Sequence, residues 1–218
     1  MVKNTPIYHI THINNIETIL KDGMLWSDAK RTKLGYIPEN IAYEHIKKRR
    51  FSTPVKIGIQ GVLADYVPFY FCNRSPMLNA IRKGGVTGSQ DTQPNIIYLV
   101  SSVEKIANEG SNLSWCFTDG HGVDQLTDYY NTPKDLINID WGIIADWDYR
   151  DTLADNDRTR RKQAEFLVHE SFPVGLIEKI GVYGIEQKQS VETILAKHPH
   201  KIPVIVEKKW YYSSRGET

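Results

Sequence analysis

The chain has 218 residues, of which 40% are hydrophobic and 24% are charged, a composition typical of a folded protein and not of a disordered or low-complexity one. Lys and Arg total 27 against 26 Asp and Glu, which argues against the general attraction to DNA of a histone-like protein, so any nucleic-acid contact must be local. No apolar signal region begins the chain and no apolar run approaches the ~20 residues of a spanning helix, so we expect one cytoplasmic domain over 1–218 without membrane contact.

The first half of the chain predicts short strands joined by short helices. Strands are predicted at apolar stretches, over 6–10, 24–26 and 66–72. Helices are predicted from Ile13 to a stop at Asp22 and Gly23, from Pro38 to the basic run ending at Arg50, and from the Ser75 cap and Pro76 onward.

The second half predicts further strands and one long irregular segment. Strand patterns lie at 96–101, 113–118, 163–169, 179–184 and 203–207. Between 119 and 162 the sequence is rich in Asp, Tyr and Trp but has no sustained apolar period. About six or seven strands without regular βαβ alternation predict an α+β domain with a mixed sheet. A connection of roughly forty residues is far longer than usual, which is typical of a functional or a disordered segment.

One carboxylate directly follows this segment. In the strand pattern at 163–168, Gln163, Glu165 and Leu167 share one face. An ordinary amphipathic edge strand with a solvated Glu165 accounts for the pattern. A functional carboxylate accounts for it equally and explains why a long segment ends there.

The first strand carries a second polar pair. His9 and Thr11 lie on one side of it, where an imidazole and a hydroxyl can bind one polar ligand, although a structural histidine is the commoner outcome. His-x-Thr is also half of a phosphoesterase motif, but no second copy follows the other histidines, which argues against that class. No His spacing supports a metal site, so none is expected.

Two basic clusters admit two interpretations each. Arg49 and Arg50 at a helix end offset the helix dipole, or they form a guanidinium fork for a pyrophosphate or a base edge. The run of Arg158, Arg160, Arg161 and Lys162 before Glu165 is a solvated charged turn, or it contacts a DNA backbone.

In their order and spacing, these segments resemble the DarT family of DNA ADP-ribosyltransferase toxins over residues 6–212. The matching stretches are 6–13, 41–46 with Arg49 and Arg50, 65–71, 75–78, 117–119 with His121, 163–165 and 210–212. The resemblance implies an ADP-ribosyltransferase fold, a split mixed β-sheet with peripheral helices that holds NAD in a cleft.

The resemblance also implies roles for individual residues. Glu165 and Arg50 would be catalytic. The residues expected to contact NAD are His9, Ile10, Thr11, Thr18, Trp26, Arg50 and the aromatic stacking partners Tyr43 and Tyr70. Residues 31–52 would close over NAD, and residues 118–165 would form a target-recognition loop. The residues expected to contact DNA are Arg49, His121, Arg158, Arg160 and Arg161.

The implied activity is transfer of ADP-ribose from NAD to thymidine in single-stranded DNA, with release of nicotinamide and without a metal. The implied setting is a toxin–antitoxin system in which a macrodomain antitoxin, DarG-like, opposes the toxin. A related branch modifies guanosine. The alternatives are an enzyme of the same fold that modifies RNA or protein, and a non-catalytic NAD-binding module.

Overall fold

A computed structural model describes residues 4–85 and 92–213. Within these ranges the strands are β1 Pro6–His12, β2 Met24–Trp26, β3 Tyr66–Tyr70, β4 Ile96–Ser102, β5 Trp115–Thr118, β6 Tyr129–Tyr130, β7 Glu165–His169, β8 Ser171–Pro173, β9 Lys179–Val182 and β10 Val204–Val206. The helices are α1 Ile16–Asp22, α2 Asp28–Leu34, α3 Glu44–Arg50, α4 Pro76–Arg82, α5 Val103–Glu109, α6 Trp141–Ala145, α7 Arg158–Arg161 and α8 Ile185–Leu195. None of these helices is long and apolar enough to cross a membrane.

Eight strands form one sheet in the order β10-β9-β4-β1-β3-β7-β5-β6, and β2 pairs with β8 in a second, small sheet. The pair β9 and β10 is parallel and the other neighbours are antiparallel. The expected mixed sheet of an α+β fold is therefore confirmed. The described residues form more strands than the six or seven expected, because β6 and β8, for which no strand was predicted, have only two and three residues.

The large sheet is split between β1 and β3. The strand β1 pairs with β4 from Pro6 to His12, but its register with β3 is confined to Tyr8 and Tyr70. The carbonyl of Pro68 faces β1 and accepts a hydrogen bond from His9 Nδ1 at 2.7 Å. Since the N and C=O of one residue point to the same side of a strand, the N–H that Pro68 lacks would also face β1. The proline thus prevents β1 and β3 from forming a continuous ladder of main-chain hydrogen bonds.

The strand that begins at Glu165 lies inside the sheet. It pairs with β3 through Tyr70 and with β5 through Phe117. Only 2% of Glu165 is exposed. The interpretation of an edge strand with a solvated Glu165 is therefore wrong. The strand β5, which comes before the long segment in the sequence, pairs with the side of β7 that β3 leaves open.

The region before α3 differs from the sequence prediction. Pro38 does not open a helix, because the side chain of Asn15 binds both the N–H and the C=O of Glu39 and thereby takes up the groups a helix would use. The helix α3 begins only at Glu44. The unexpected helix α2 begins at the Ser27 cap, whose hydroxyl accepts from Lys30 N at 3.2 Å.

The segment 119–164 between β5 and β7, here called the excursion, is organised by partly buried ion pairs and by one buried lysine. Arg158 pairs with Asp146, Arg160 with Asp119 and Asp157, and Arg161 with Asp140 and Asp155. Lys162 is 2% exposed. The interpretation of this basic run as a solvated turn is wrong, because each cation is held by acceptors within the excursion.

Lys162 fixes the end of α6 to the start of β7. Its ammonium donates to the carbonyls of Ile143, Ile144 and Asp146 at 3.2, 2.8 and 2.7 Å. Replacing it with Met removes this donor from all three carbonyls, of which only that of Ile143 keeps a main-chain donor among the described residues, Asp146 N at 3.2 Å, so we expect Lys162→Met to lower the free energy of unfolding by about 3 kcal/mol. Thermal unfolding and limited proteolysis of the excursion measure this. Lys134→Met, an exposed position in the same segment, is the control and should have little effect; equal stability of the two variants would contradict the assignment.

Candidate active site

A cavity opens where the sheet splits. One side is formed by β1 and β3, and Glu165 of β7 and His121 of the excursion lie in it. The opposite wall comes from the segment 28–50, which includes α2 and α3. The full lining is His9, Ile10, Thr11, Asn15, Trp26, Asp28, Arg31, Pro38, Glu39, Asn40, Ile41, Ala42, Ile46, Lys47, Arg50, Pro68, Tyr70, Met77, His121 and Glu165. Residues expected to contact NAD from four separate stretches of the sequence thus meet in one cavity.

The Glu165 carboxylate is held from two sides. Its Oε2 accepts from Arg50 Nη1 at 2.8 Å, and its Oε1 accepts from the Gly122 main-chain N–H at 3.1 Å. A Cβ at position 122 would lie 3.3 Å from Oε1 and 3.1 Å from Leu63, so only glycine fits there without displacing a neighbour. The main-chain N–H of Glu165 donates to Thr118 Oγ1 at 3.0 Å. The carboxylate is therefore fixed in position before any ligand binds.

The charges of this pair stabilise each other. Burial raises the pKa of Glu165, but the charges of Arg50 and His121 and the hydrogen bonds from Arg50 and Gly122 outweigh it, so the net pKa lies below the usual value. Burial lowers the pKa of Arg50, and the Glu165 carboxylate more than restores it, so the net pKa is raised. Both groups are ionised at neutral pH. Arg50 Nη2 is buried and has no partner among the described residues, which leaves one donor of the fork for a ligand.

The imidazole of His9 is neutral and has a defined tautomer. Burial lowers its pKa to about 4, against the smaller raising effect of the bond to Pro68. A carbonyl oxygen only accepts, so the proton sits on Nδ1, 2.7 Å from Pro68 O. The other ring nitrogen, Nε2, is therefore a hydrogen-bond acceptor in the cavity.

The buried His9 makes stability depend on pH. Its native pKa is about 4 and its ordinary value 6.5, so the unfolded chain binds more protons between these values. The stabilisation is complete above pH 6.5 and is lost as the pH falls towards 4, by no more than about 3 kcal/mol. We expect His9→Gln, which keeps a donor for Pro68, to flatten this part of the curve. Denaturant unfolding of both proteins at pH 4.5 and 7 tests this. An equal loss of unfolding free energy between the two pH values in wild type and His9→Gln would contradict it.

His121 lines the cavity, and hydrogen bonds within the excursion fix its main chain. Its main-chain N–H donates to Arg160 O at 3.0 Å and its carbonyl accepts from Thr127 Oγ1 at 2.8 Å. Burial lowers the pKa of His121, although the Glu165 charge opposes this. The neutral imidazole is thus the resting form beside the carboxylate.

Several expected site residues lie elsewhere. Thr18 lines a neighbouring cavity. Tyr43 lies outside both cavities, with its hydroxyl against Gly85 and its ring 5.3 Å from that of His45, so its expected stacking on a ligand has no support in this structure. Arg49 donates to Val123 O at 2.9 Å. The guanidinium groups expected at DNA, on Arg158, Arg160 and Arg161, are bound to aspartates, and a DNA role for them stays a prediction.

The neighbouring cavity shares a wall with the first. The shared residues are Asn15, Trp26, Arg31, Pro38 and Glu39. Arg31 is ion-paired to Asp28. Its cation therefore lies at the junction of a two-lobed cavity. Arg31, Asp28, Gly122 and Met77 were missed as site residues; for Arg31 the Ser27-Asp28 cap was the available signal of a helix there.

Comparisons with known proteins agree on one family. The model of the DarT family, described as ssDNA thymidine ADP-ribosyltransferase, matches residues 8–212. A DNA ADP-ribosyl transferase of Thermus aquaticus is 41% identical over 213 residues, which are 97% of this chain and 90% of that protein.

Two solved structures of one relative have the same fold. Thermus sp. 2.9 DarT in complex with ADP-ribosylated ssDNA matches with a TM-score of 0.87 at 40% identity, covering 95% of this chain and 96% of that one. The same protein in complex with NAD+ matches with a TM-score of 0.83 at 38% identity, covering 95% and 98%. The expected ADP-ribosyltransferase fold and the use of NAD are confirmed, and the chain belongs to the DarT family of DNA ADP-ribosyltransferases.

Proposed function

We propose that this enzyme transfers ADP-ribose from NAD to the base of a thymidine in single-stranded DNA and releases nicotinamide. The observation that carries the proposal is the ionised, buried carboxylate of Glu165 in a two-lobed cavity, held by Arg50 and Gly122. The Thermus sp. 2.9 relative, solved with NAD+ and with ADP-ribosylated ssDNA, supports this choice of substrates.

The two lobes suit the two nucleosides of NAD. A diphosphate joins these nucleosides, and Arg31 lies at the junction of the lobes, where a guanidinium fork can bind it. Arg31 then exchanges Asp28 for the diphosphate. His9 Nε2 accepts from a ribose hydroxyl, and Ile10 and Thr11 complete the wall along the same strand. This arrangement brings the nicotinamide ribose to the Glu165 end.

Glu165 assists the first bond change. The ribose C1′–nicotinamide bond breaks and the nicotinamide leaves with the electron pair, so positive charge develops on the ribose. A fixed carboxylate at that face stabilises the charge without reorganisation. Both oxygens of Glu165 already have a partner, and each keeps a lone pair for a ribose hydroxyl.

Arg50 and His121 act on the acceptor base. N3 is the only ring N–H of thymidine, because N1 carries the sugar, so the new bond joins C1′ to N3 and the N3 proton leaves. Arg50, whose pKa is raised, stays protonated and binds the developing base anion through Nη2. The neutral His121 accepts the proton, and Glu165 beside it stabilises the imidazolium.

The pH dependence of transfer tests the role of His121. Its pKa lies below 6.5, so the neutral form predominates above that pH and is lost as the pH falls through the pKa. We expect transfer to fall on the acid side of 6.5 in the wild type, and His121→Gln to be slower by about 10²-fold with that limb absent. If transfer by His121→Gln still fell on the acid side of pH 6.5 as in the wild type, a group other than His121 would accept the proton.

The family also supports a biological setting. We propose a toxin that acts in the cytoplasm, where NAD and DNA are both present, opposed by a macrodomain partner that removes the ADP-ribose. Expression of the wild type in a bacterial host should stop growth, and co-expression of a macrodomain hydrolase should restore it. Growth without the hydrolase, with active enzyme present, would contradict the toxin role.

Mass spectrometry of oligonucleotides tests the proposed reaction. Single-stranded DNA with one thymidine is incubated with enzyme and NAD, beside the same oligonucleotide without thymidine, an RNA pool and a protein pool. We expect one ADP-ribose on the thymidine-containing DNA alone. Modification at guanosine, or on RNA or protein in place of DNA, would overturn the substrate assignment.

A further inference from the structure

Trp147 is exposed on the excursion, with one face of its indole covered by a cation. Its exposed fraction is 64%, the highest of the five tryptophans, the next being Trp141 at 40%. The guanidinium carbon of Arg74 lies 3.1 Å from the ring centroid. Because Arg74 covers one face of the Trp147 indole, the opposite face is the exposed aromatic surface.

The backbone that carries Trp147 is firmly anchored. On one side, Asp146 is bound by Arg158 through its carboxylate and by Lys162 through its carbonyl, each contact being 2.8 Å or less. On the other side, Tyr149 accepts from Asn79 Nδ2 at 2.9 Å. The indole is exposed and these hydrogen bonds fix its position before binding, so it is suited to stack on a planar partner.

The anchors connect Trp147 to the active site. Lys162 lies three residues before Glu165 on the same chain segment. Arg74 and Asn79 flank Met77, which lines the cavity. The segments that bring Glu165 and Met77 into the cavity therefore also supply anchors of the indole.

Charge favours a nucleotide as that partner. Arg74 is 9% exposed and donates to the carbonyls of Lys209 and Tyr211; among the described residues no carboxylate pairs with it. An aromatic face backed by an unneutralised cation suits a base that is joined to phosphates. Bases of any identity stack on such faces, which is a common mode of single-strand binding.

We propose that Trp147, supported by Arg74, is the stacking platform for the base of one nucleotide flanking the acceptor thymidine. This inference rests on the proposed function. It makes Trp147 a positioning residue that holds the strand while the neighbouring thymidine enters the cavity, and it adds affinity without selecting a base.

Abasic scanning of the oligonucleotide tests the platform. A set of oligonucleotides carries one thymidine and one abasic site at successive flanking positions, and kcat and KM are measured for each. With wild type, we expect one flanking position at which loss of the base raises the oligonucleotide KM about tenfold. Trp147→Ala should raise the KM for the intact oligonucleotide by a similar factor, and the abasic site at that position should then add nothing. Trp147→Phe, which keeps a ring, should behave as wild type.

The controls separate the possible failures. Ile185→Ala removes an apolar side chain of similar exposure, 60%, that lines neither cavity, and it should change neither KM nor the abasic profile. Trp147→Leu keeps apolar bulk without the ring and replaces the alanine variant if that one folds poorly. Persistence of the full abasic penalty in Trp147→Ala or Trp147→Leu would overturn the platform. Absence of any thymidine labelling by wild type would instead overturn the proposed function.

Discussion

Glu165→Gln is expected to abolish both nicotinamide release and DNA labelling, with a loss of about 10²- to 10³-fold or more. In the proposed reaction the carboxylate is the fixed negative charge that faces the ribose, and removal of one such preorganised contact commonly costs this much. The amide retains the size of the side chain, so NAD binding should persist. Single-turnover nicotinamide release and binding of NAD by calorimetry measure the two effects separately.

The structure adds a cost in stability for the same variant. The carboxylate accepts from Arg50 on one oxygen and from Gly122 on the other. The glutamine side chain has one carbonyl oxygen, so its NH2 must face one of these donors, and Arg50 loses its buried counter-charge. A lower melting temperature is expected. Glu178→Gln, an exposed carboxylate outside the cavity, is the control. Undiminished labelling of DNA by Glu165→Gln would refute the catalytic assignment.

Arg50→Lys is expected to lose transfer by about 10²-fold while hydrolysis of NAD by water falls much less. Lysine can still pair with Glu165, so the carboxylate stays ionised and the glycosidic bond can still break. The second fork nitrogen, which has no partner in the described part of the chain, is the group proposed to bind the base anion, and lysine lacks it. The ratio of ADP-ribosylated oligonucleotide to free ADP-ribose is the measurement.

The two variants divide the reaction into its steps. Glu165→Gln should lose hydrolysis and transfer together, and Arg50→Lys mainly transfer. Lys48→Arg, the reverse exchange at an exposed position of the same helix, should alter neither. If Arg50→Lys retained a normal ratio of transfer to hydrolysis, only the charge at position 50 would matter and the fork would have no role.

Local signals predicted much of the fold. Ser75 caps a helix as expected, with a hydroxyl that accepts from Leu78 N. Gly23 ends α1 with a φ of 66°, a conformation that glycine adopts without strain. The helix α2 was missed because none of its residues is buried, so it has no apolar period.

Long-range contacts decided what the sequence could not predict. Pro38 resembled the first residue of a helix, and a side chain from α1's cap, Asn15, holds the following residue out of helix geometry. The same limit applies to the site. His9 and Glu165 were predictable from the family resemblance, whereas Gly122 contributes a main-chain N–H, which has no sequence signature, and Lys162 resembles any solvated lysine until its carbonyl partners are known.

A crystal structure of this protein with an unreactive NAD analogue would show whether Glu165 faces the nicotinamide ribose. We expect the diphosphate at Arg31, the nicotinamide ribose between His9 and Glu165, and a ribose hydroxyl within about 2.7–3.2 Å of the Glu165 carboxylate. A nicotinamide ribose bound in the lobe that Thr18 lines, out of reach of Glu165, would contradict this expectation.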